Sequence, residues 1–218
     1  MKKVNWGRFF GILGLVVYGI FVLFPIYWTI NTSFKEVGDV YKVPPSFVPT
    51  KFTLEAYRFI FQGTGRLALS NSLIVAIGAT LIAVGLGTMA SYAYSRYPFT
   101  GLTNEGAQFN LLTVRMFPPI AFLLPIFWLW KTLGLLDTHF ALIVTYSAFN
   151  LPLAVWLLKG FMDSLPRSIE EASYVDGYSF WQTARRVVLP LIGSGLAATV
   201  ALCWIFIWNE FIIAYLLG

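Results

Sequence analysis

Charged side chains set inside long apolar stretches are where chemistry would sit in this chain. Arg115 is flanked by Met116, Pro118 and Pro119, and Glu210 follows Trp208 and Asn209 near the last residue. An ionisable group among lipid-compatible residues must face a bundle interior, water or a partner, so it marks a functional site by default. Met116, Pro118 and Asn209 complete this candidate path or gate, because the proline breaks a backbone ladder where bending is useful. A different grouping lies between the apolar stretches: Ser168-Ile169-Glu170-Glu171-Ala172-Ser173-Tyr174-Val175-Asp176-Gly177. Its acids, small residues and closing glycine read either as an ordinary solvated loop between spans or as a short helix that seats in a partner's groove.

Other chemistries find no support. The one histidine, His139, and the one cysteine, Cys203, stand alone, so neither a metal cluster nor an intrachain disulfide is expected. There is no nucleophile–base pair and no glycine-rich phosphate loop ending in Lys-Ser or Lys-Thr. The chain is therefore not expected to be an enzyme, and any ATP would be hydrolysed by a partner.

The elements that must position these residues follow from composition. Of 218 residues, 58% are hydrophobic and 11% are charged, against about 25% charged in an ordinary soluble domain. The mean hydropathy of +0.72 agrees. Uncharged stretches approach or exceed the roughly 20 residues that cross a bilayer as a helix. The net charge of +5 does not indicate nucleic acid, because the basic residues lie scattered at the ends of apolar runs.

The expected architecture is all-α: one domain over 1–218, a polytopic transmembrane helix bundle. Five spans are read at about 9–34, 69–94, 109–130, 140–158 and 190–217, with a hydrophilic loop at 159–189. The first run is too long and too aromatic for a cleaved signal, and reads as a retained span. Lys35 to Ala68, with Pro44, Pro45 and Pro49, reads as an outer loop with little helix of its own. An apolar run reaching Gly218 leads to the expectation that a sixth span is missing. With the N-terminus inside, cytoplasmic segments hold Lys2, Lys3, Arg8, Arg96, Lys159, Arg167, Arg185 and Arg186. Outer segments hold Lys35, Lys42, Lys51, Arg58, Arg66 and Lys131, so the positive-inside margin is eight against six.

Within span three, Arg115 costs about 2.5–3.5 kcal/mol on an insertion scale. The eleven Leu, Ile, Val and Phe residues from Leu111 to Leu129 return roughly 3–6 kcal/mol. The prolines consume most of the difference. Arg115 then either faces the bundle interior or snorkels to the nearby surface.

In the loop, Ser168 and Glu171 fit a capping box that opens a helix over Ile169–Asp176, with Gly177 as its left-handed stop. Ser179 and Gln182 open a second helix running to Leu189. A helix of about two turns is not stable alone in water and needs a groove to sit in. Ala172 and Ser173 are small enough to let a partner approach the backbone. Glu210, near the outer side in this orientation, has three open readings: a sugar contact, an outer gate, or a contact with a partner.

The run Glu171-Ala172-Ser173-x-x-Asp176-Gly177, nine further residues, then Val187-x-Leu189-Pro190 resembles the EAA motif of ABC importer permeases. Ser173 replaces the second alanine of that pattern and Val187 its isoleucine. Asn71-Ser72, Ser91-Tyr92-Ala93-Tyr94-Ser95-Arg96, Met116-Phe117-Pro118 and Trp208-Asn209-Glu210-Phe211 further resemble the maltose-type carbohydrate permeases, in particular their second permease subunit. The resemblance implies six core helices, and coupling to ATPase subunits through Ile169, Glu170, Glu171, Ala172, Ser173, Asp176, Gly177, Leu189 and Pro190. It implies as partners a second homologous permease, two cytoplasmic ATPases that use ATP and Mg, an extracytoplasmic solute-binding protein, lipid and a sugar. No cofactor is expected on this chain. The alternatives are the same importer carrying a polyol or phosphodiester, and a self-sufficient secondary transporter working through Arg115 and Glu210.

Overall fold

A computed structural model describes residues 6–97, 106, 113 and 116–218. Lys2 and Lys3, the start of the third span and Arg115 lie outside the described residues. The chain, expected as one domain, divides into two compact units, Met1–Leu69 and Ser70–Gly218.

In the first unit, α1 (Trp6–Ser33) carries Pro25 in its interior. Phe10–Ser33 is long and apolar enough to cross a membrane, and none of its most apolar window is buried within the chain. Phe21 is 77% exposed. A helix apolar on all faces finds its solvent in lipid or in another subunit.

The polar stretch that follows is more ordered than expected for a loop. It holds α2 (Val37–Val40) and α3 (Glu55–Phe61). Phe34 stacks on Phe52 at 4.5 Å, and Ser33 shares a 2.9 Å hydrogen bond with Tyr57. Aromatic residues and buried charges organise it where helix periodicity is absent. Lys35 is buried over the Trp28 ring, 4.7 Å from its centre, and donates to the Ser46 carbonyl. The buried Asp39 accepts from Lys42 and from both the hydroxyl and amide of Thr50.

The hydrogen bond from Lys42 holds the Asp39 carboxyl below its ordinary pKa, helped by the Lys42 charge and the Thr50 amide, while burial opposes the shift. A carboxylate with a lowered folded pKa contributes stability above its unfolded pKa and loses it as pH falls through the folded value. Protection of the Thr50 amide from hydrogen exchange, corrected for the intrinsic rate, should therefore persist through the ordinary carboxylate range and fall only as the pH drops below it. In Asp39→Asn it should already be lost at neutral pH. Equal protection in both proteins at neutral pH would contradict this role.

α4 (Gly63–Arg96) begins in the first unit and forms most of one wall of the second. Its buried side chains, among them Ala76, Ala79, Thr80, Ala83, Gly87 and Ser91, recur at helical spacing and are small. Small residues let apolar helices approach closely where no hydrophobic force separates them from lipid. α5 (Pro119–Thr132) starts after the break at Pro118 and ends before Gly134, whose φ is +66°. α6 (His139–Asp163) is capped by Thr138, which accepts from the Ala141 amide at 3.2 Å. It extends past the expected limit at Leu158, so Lys159 and Asp163 belong to its last turns.

The segment expected as one span at 190–217 is broken twice. After α7 (Arg167–Val175) and α8 (Phe180–Thr183), a π-turn over Ala184–Val188 leads into α9 (Leu189–Leu191). The Leu189 amide there donates to Ala184, five residues back. Pro190 has no amide to continue an ordinary ladder, and the wider turn absorbs that loss. A 76° bend then separates Phe180–Leu191 from α10 (Gly193–Trp208). A second break at Asn209–Phe211 precedes α11 (Ile212–Leu217).

Two apolar clusters hold the second unit. One joins Val75, Ala79, Leu123, Trp130, Tyr146, Ile207 and Ile213, and the other joins Val84, Ala154, Leu158, Met162, Val188, Ile192 and Cys203. Trp130, buried in the first, donates to the Thr145 hydroxyl at 2.9 Å. Among the described residues, three helices are long and apolar enough to span a membrane, and four if the bent pair counts as one.

Candidate functional site

α7 begins one residue before Ser168. Pro166, at φ −60° and ψ 134°, occupies the cap position, and Arg167 is the first helical residue. The expected Ser168–Glu171 capping box therefore does not form. Proline is suited to this entry, since its fixed φ fits and its missing donor is not required at a helix start. At the other end the Tyr178 amide donates to Ser173 and the Gly177 amide to Tyr174, both at 3.0 Å. These two bonds, with Gly177 at φ +83°, make a Schellman stop. The Ser179–Gln182 capping box is present, with the Ser179 amide donating to Gln182 at 2.8 Å.

The two faces of α7 differ. Glu170 and Ser173 are buried, whereas Ile169, Glu171, Ala172 and Asp176 are exposed and Val175 is 88% exposed. Ser173 thus does not serve partner approach as its size suggested. It donates to the Glu170 carbonyl or shares a 2.7 Å hydrogen bond with Thr183, joining α7 to α8. Glu170 is anchored on α4: Arg96 donates from Nε to Oε1 at 2.6 Å, and Tyr92 donates to Oε2 at 2.6 Å. Arg96 Nη2 also lies 2.6 Å from Oε1 and donates to the Leu165 carbonyl at 3.2 Å. Arg167 returns the contact by donating to the carbonyls of Ser95 and Arg96. Asp163, paired with Lys159 at 2.6 Å, accepts from Ser95, which ties the end of α6 to the same point.

Comparisons with known proteins decide the family. Residues 83–218 match the family described as binding-protein-dependent transport system inner membrane component. The chain belongs to this family. It is 36% identical to the inner membrane ABC transporter permease protein YcjP of Escherichia coli, over 92% of this chain and 72% of that one. It is 35% identical to the trehalose transport system permease protein SugB of Mycobacterium tuberculosis, over 94% and 74% of the two chains. The trehalose/maltose transport system permease protein MalG of Thermococcus litoralis is 35% identical over 99% and 77%. Among solved structures, a bacterial ABC transporter that imports the acidic polysaccharide alginate superposes with a TM-score of 0.78. The identity there is 25%, covering all of this chain and 77% of that one.

The protein is thus an ABC importer permease, an inner-membrane, multi-pass component of a transport system. The run that resembles an EAA motif, Glu171 to Pro190, spans α7, its Schellman turn, α8, the π-turn and the start of α9. Leu189 packs against the second apolar cluster, and Pro190 is exposed beside the π-turn. Tyr92 and Phe180 meet edge to face at 5.5 Å. Both line an apolar cavity of 680 Å³ bounded by α4, Met162, the α8–α9 segment and α10.

Glu210 is held by hydrogen bonds within the second unit. Its carboxylate accepts from the amides of Ile212 and Ile213, both at 2.9 Å, and from the Tyr146 hydroxyl at 2.8 Å. It opens α11 and ties it to α6. Asn209 donates to Ile205 one turn back at 2.8 Å. Met116 and Pro118 are exposed, and Arg115 is outside the described residues. Glu210→Ala removes three acceptor contacts and should lower stability by about 1–2 kcal/mol, with Glu210→Gln losing less. Thermal unfolding of the purified permease checks this, and an unchanged midpoint for Glu210→Ala would contradict it.

Sequence reasoning missed Arg96, Tyr92 and Tyr146 as partners. A signal existed for Arg96: it is the first charge after an uncharged stretch from Leu67, placed where α4 ends. An acid must neutralise a cation buried at such a point.

Proposed function

We propose that this permease carries a sugar or oligosaccharide inward, and that α7 is its coupling helix for a cytoplasmic ATPase. The observation that carries the coupling reading is the division of α7 into an anchored face and a bare one. Ile169, Ala172 and Val175 lie open on a helix too short to persist without support. A small residue at Ala172 lets a cleft approach the backbone, and Glu171 adds a negative charge beside it. The trehalose and trehalose/maltose relatives support the saccharide cargo.

In this reading the N-terminus, α7, Arg185 and Arg186 are cytoplasmic. A second homologous permease completes the translocation path, and two ATPase subunits hydrolyse ATP with Mg. A binding protein delivers the sugar to the outer segments. The chain itself binds no cofactor and catalyses no reaction. ATP-driven closure of the ATPase pair moves α7, and the bundle alternates between inward- and outward-open states.

Affinity capture of the tagged chain from its own membranes in mild detergent, followed by mass spectrometry, tests this assembly. Recovery of an ATPase and a second permease is expected, with a binding protein whose calorimetric titration against saccharides yields the cargo. A chain recovered alone, yet transporting in liposomes without ATP, would replace the proposal with a secondary transporter.

A further inference from the structure

We propose that Arg96, assisted by Tyr92, is the positioning residue that makes α7 and α4 move as one lever, so that force on α7 enters the bundle through α4. The inference rests on the reading of α7 as the coupling helix and adds the route by which its motion travels.

Backward, α7 joins α6 through the three-residue link Ser164–Pro166; forward, the covalent route leads through the turn at Gly177 into α8, the π-turn and the 76° bend before it reaches α10. Each of these joints can absorb rotation. The noncovalent route to α4 has no joint. Both Glu170 oxygens are occupied, one by two nitrogens of the Arg96 fork and the other by the Tyr92 hydroxyl. Charge-assisted contacts of this kind fix direction as well as distance. The side chains of Arg96 and Glu170 are 9% and 8% exposed, so water cannot substitute for either partner during a stroke. Arg96 also holds the Leu165 carbonyl at the entry to α7, and Arg167 grips the last carbonyls of α4 from the other side. Ser95 and Asp163 bring the end of α6 to the same point.

The test uses the assembled complex with its ATPase and partner permease, in a background where Cys203→Ser and the partners' accessible cysteines are removed. Spin labels at Ser168→Cys on α7 and Met89→Cys on α4, both exposed positions, report the separation of the two helices. It is measured without nucleotide and after ATP turnover with vanadate, which traps ADP and vanadate in the ATPase. In the parent protein the distribution should be the same in both states. In Glu170→Gln and Arg96→Gln it should match the parent without nucleotide, then shift and broaden on trapping while the ATPase stays bound. Arg96→Lys, which keeps the charge but not the fork, should restore part of the parent behaviour. Tyr92→Phe should show a smaller shift than Glu170→Gln, and it supplies the measurement should the charge variants not fold.

A parent distribution that changes on trapping, or variants that never differ from it, would overturn the proposal. Variants already altered without nucleotide would also overturn it, reducing the pair to a fold contact. Failure of the parent chain to retain any ATPase would instead sink the coupling reading itself.

Discussion

Gly177→Val should leave the permease inserted and assembled with its second permease while uptake falls about tenfold or more. The reason is conformational. Gly177 has φ +83° and a Cβ built there meets nothing within 4 Å. The added side chain has room, so the whole cost lies in holding an L-residue in the left-handed region. That costs roughly 1–2 kcal/mol for an ordinary residue and more for a β-branched one. The α7 stop then opens, and the bonds from Tyr178 to Ser173 and from Gly177 to Tyr174 are lost. Asparagine tolerates this conformation, so uptake should rank glycine, asparagine, alanine, valine in descending order. Uptake assays beside a membrane-fraction blot check this order. Valine transporting as well as glycine would show that the turn geometry does not matter to coupling.

Gly87→Val should act on folding, with a larger effect still. A Cβ at Gly87 would stand 2.7 Å from the Ala154 Cβ, and 3.3 and 3.4 Å from the backbone of Ala154 and Val155. Backbone cannot rotate aside as a long side chain can, so α4 and α6 must separate. Overpacking of this kind costs about 1–3 kcal/mol per site, and valine at a helix contact belongs at the upper end. It also loosens the wall that carries Arg96. Gly85, two residues earlier, supplies the control: a Cβ there meets nothing within 4 Å. Gly85→Ala should be neutral or stabilising by about 0.5–1 kcal/mol, since glycine weakens a helix interior. Thermal unfolding in detergent separates the two. Equal midpoints for both variants would refute the close α4–α6 contact.

The class of fold was legible because a bilayer demands long apolar helices, and Leu67 to Ser95 contains no charge at all. The turn at Gly177 and the box at Ser179–Gln182 were legible because their chemistry is local. What escaped depends on contacts distant in sequence. Nothing around Pro166 reveals that the helix starts there and not two residues later, since both prolines and serines open helices. Pro190 and Gly193 mark trouble in the last apolar run, but the direction of the bend is set by packing of Ile192 and Val188 in the second cluster. Ser173 reads as small and partner-facing until Thr183 is seen against it. Glu210 reads from sequence as a sugar contact, an outer gate or a partner contact, and its hydrogen bonds at the start of α11 need the amides of Ile212 and Ile213 and the hydroxyl of Tyr146, 64 residues away. Pair contacts such as Arg96 with Glu170 leave only a charge-balance hint in the sequence.

The most direct measurement is a cysteine cross-link from α7 to the ATPase subunit in the assembled importer, made in a Cys203→Ser background. A short bifunctional reagent at Ala172→Cys should join this chain to the ATPase in high yield. The exposed control Phe211→Cys, after the far end of α10, should give none. Cross-linking from Ala172 that depends on the ATPase and is absent from Phe211 is the result this account predicts. No product from Ala172, with the ATPase demonstrably in the complex, would contradict α7 as the coupling helix.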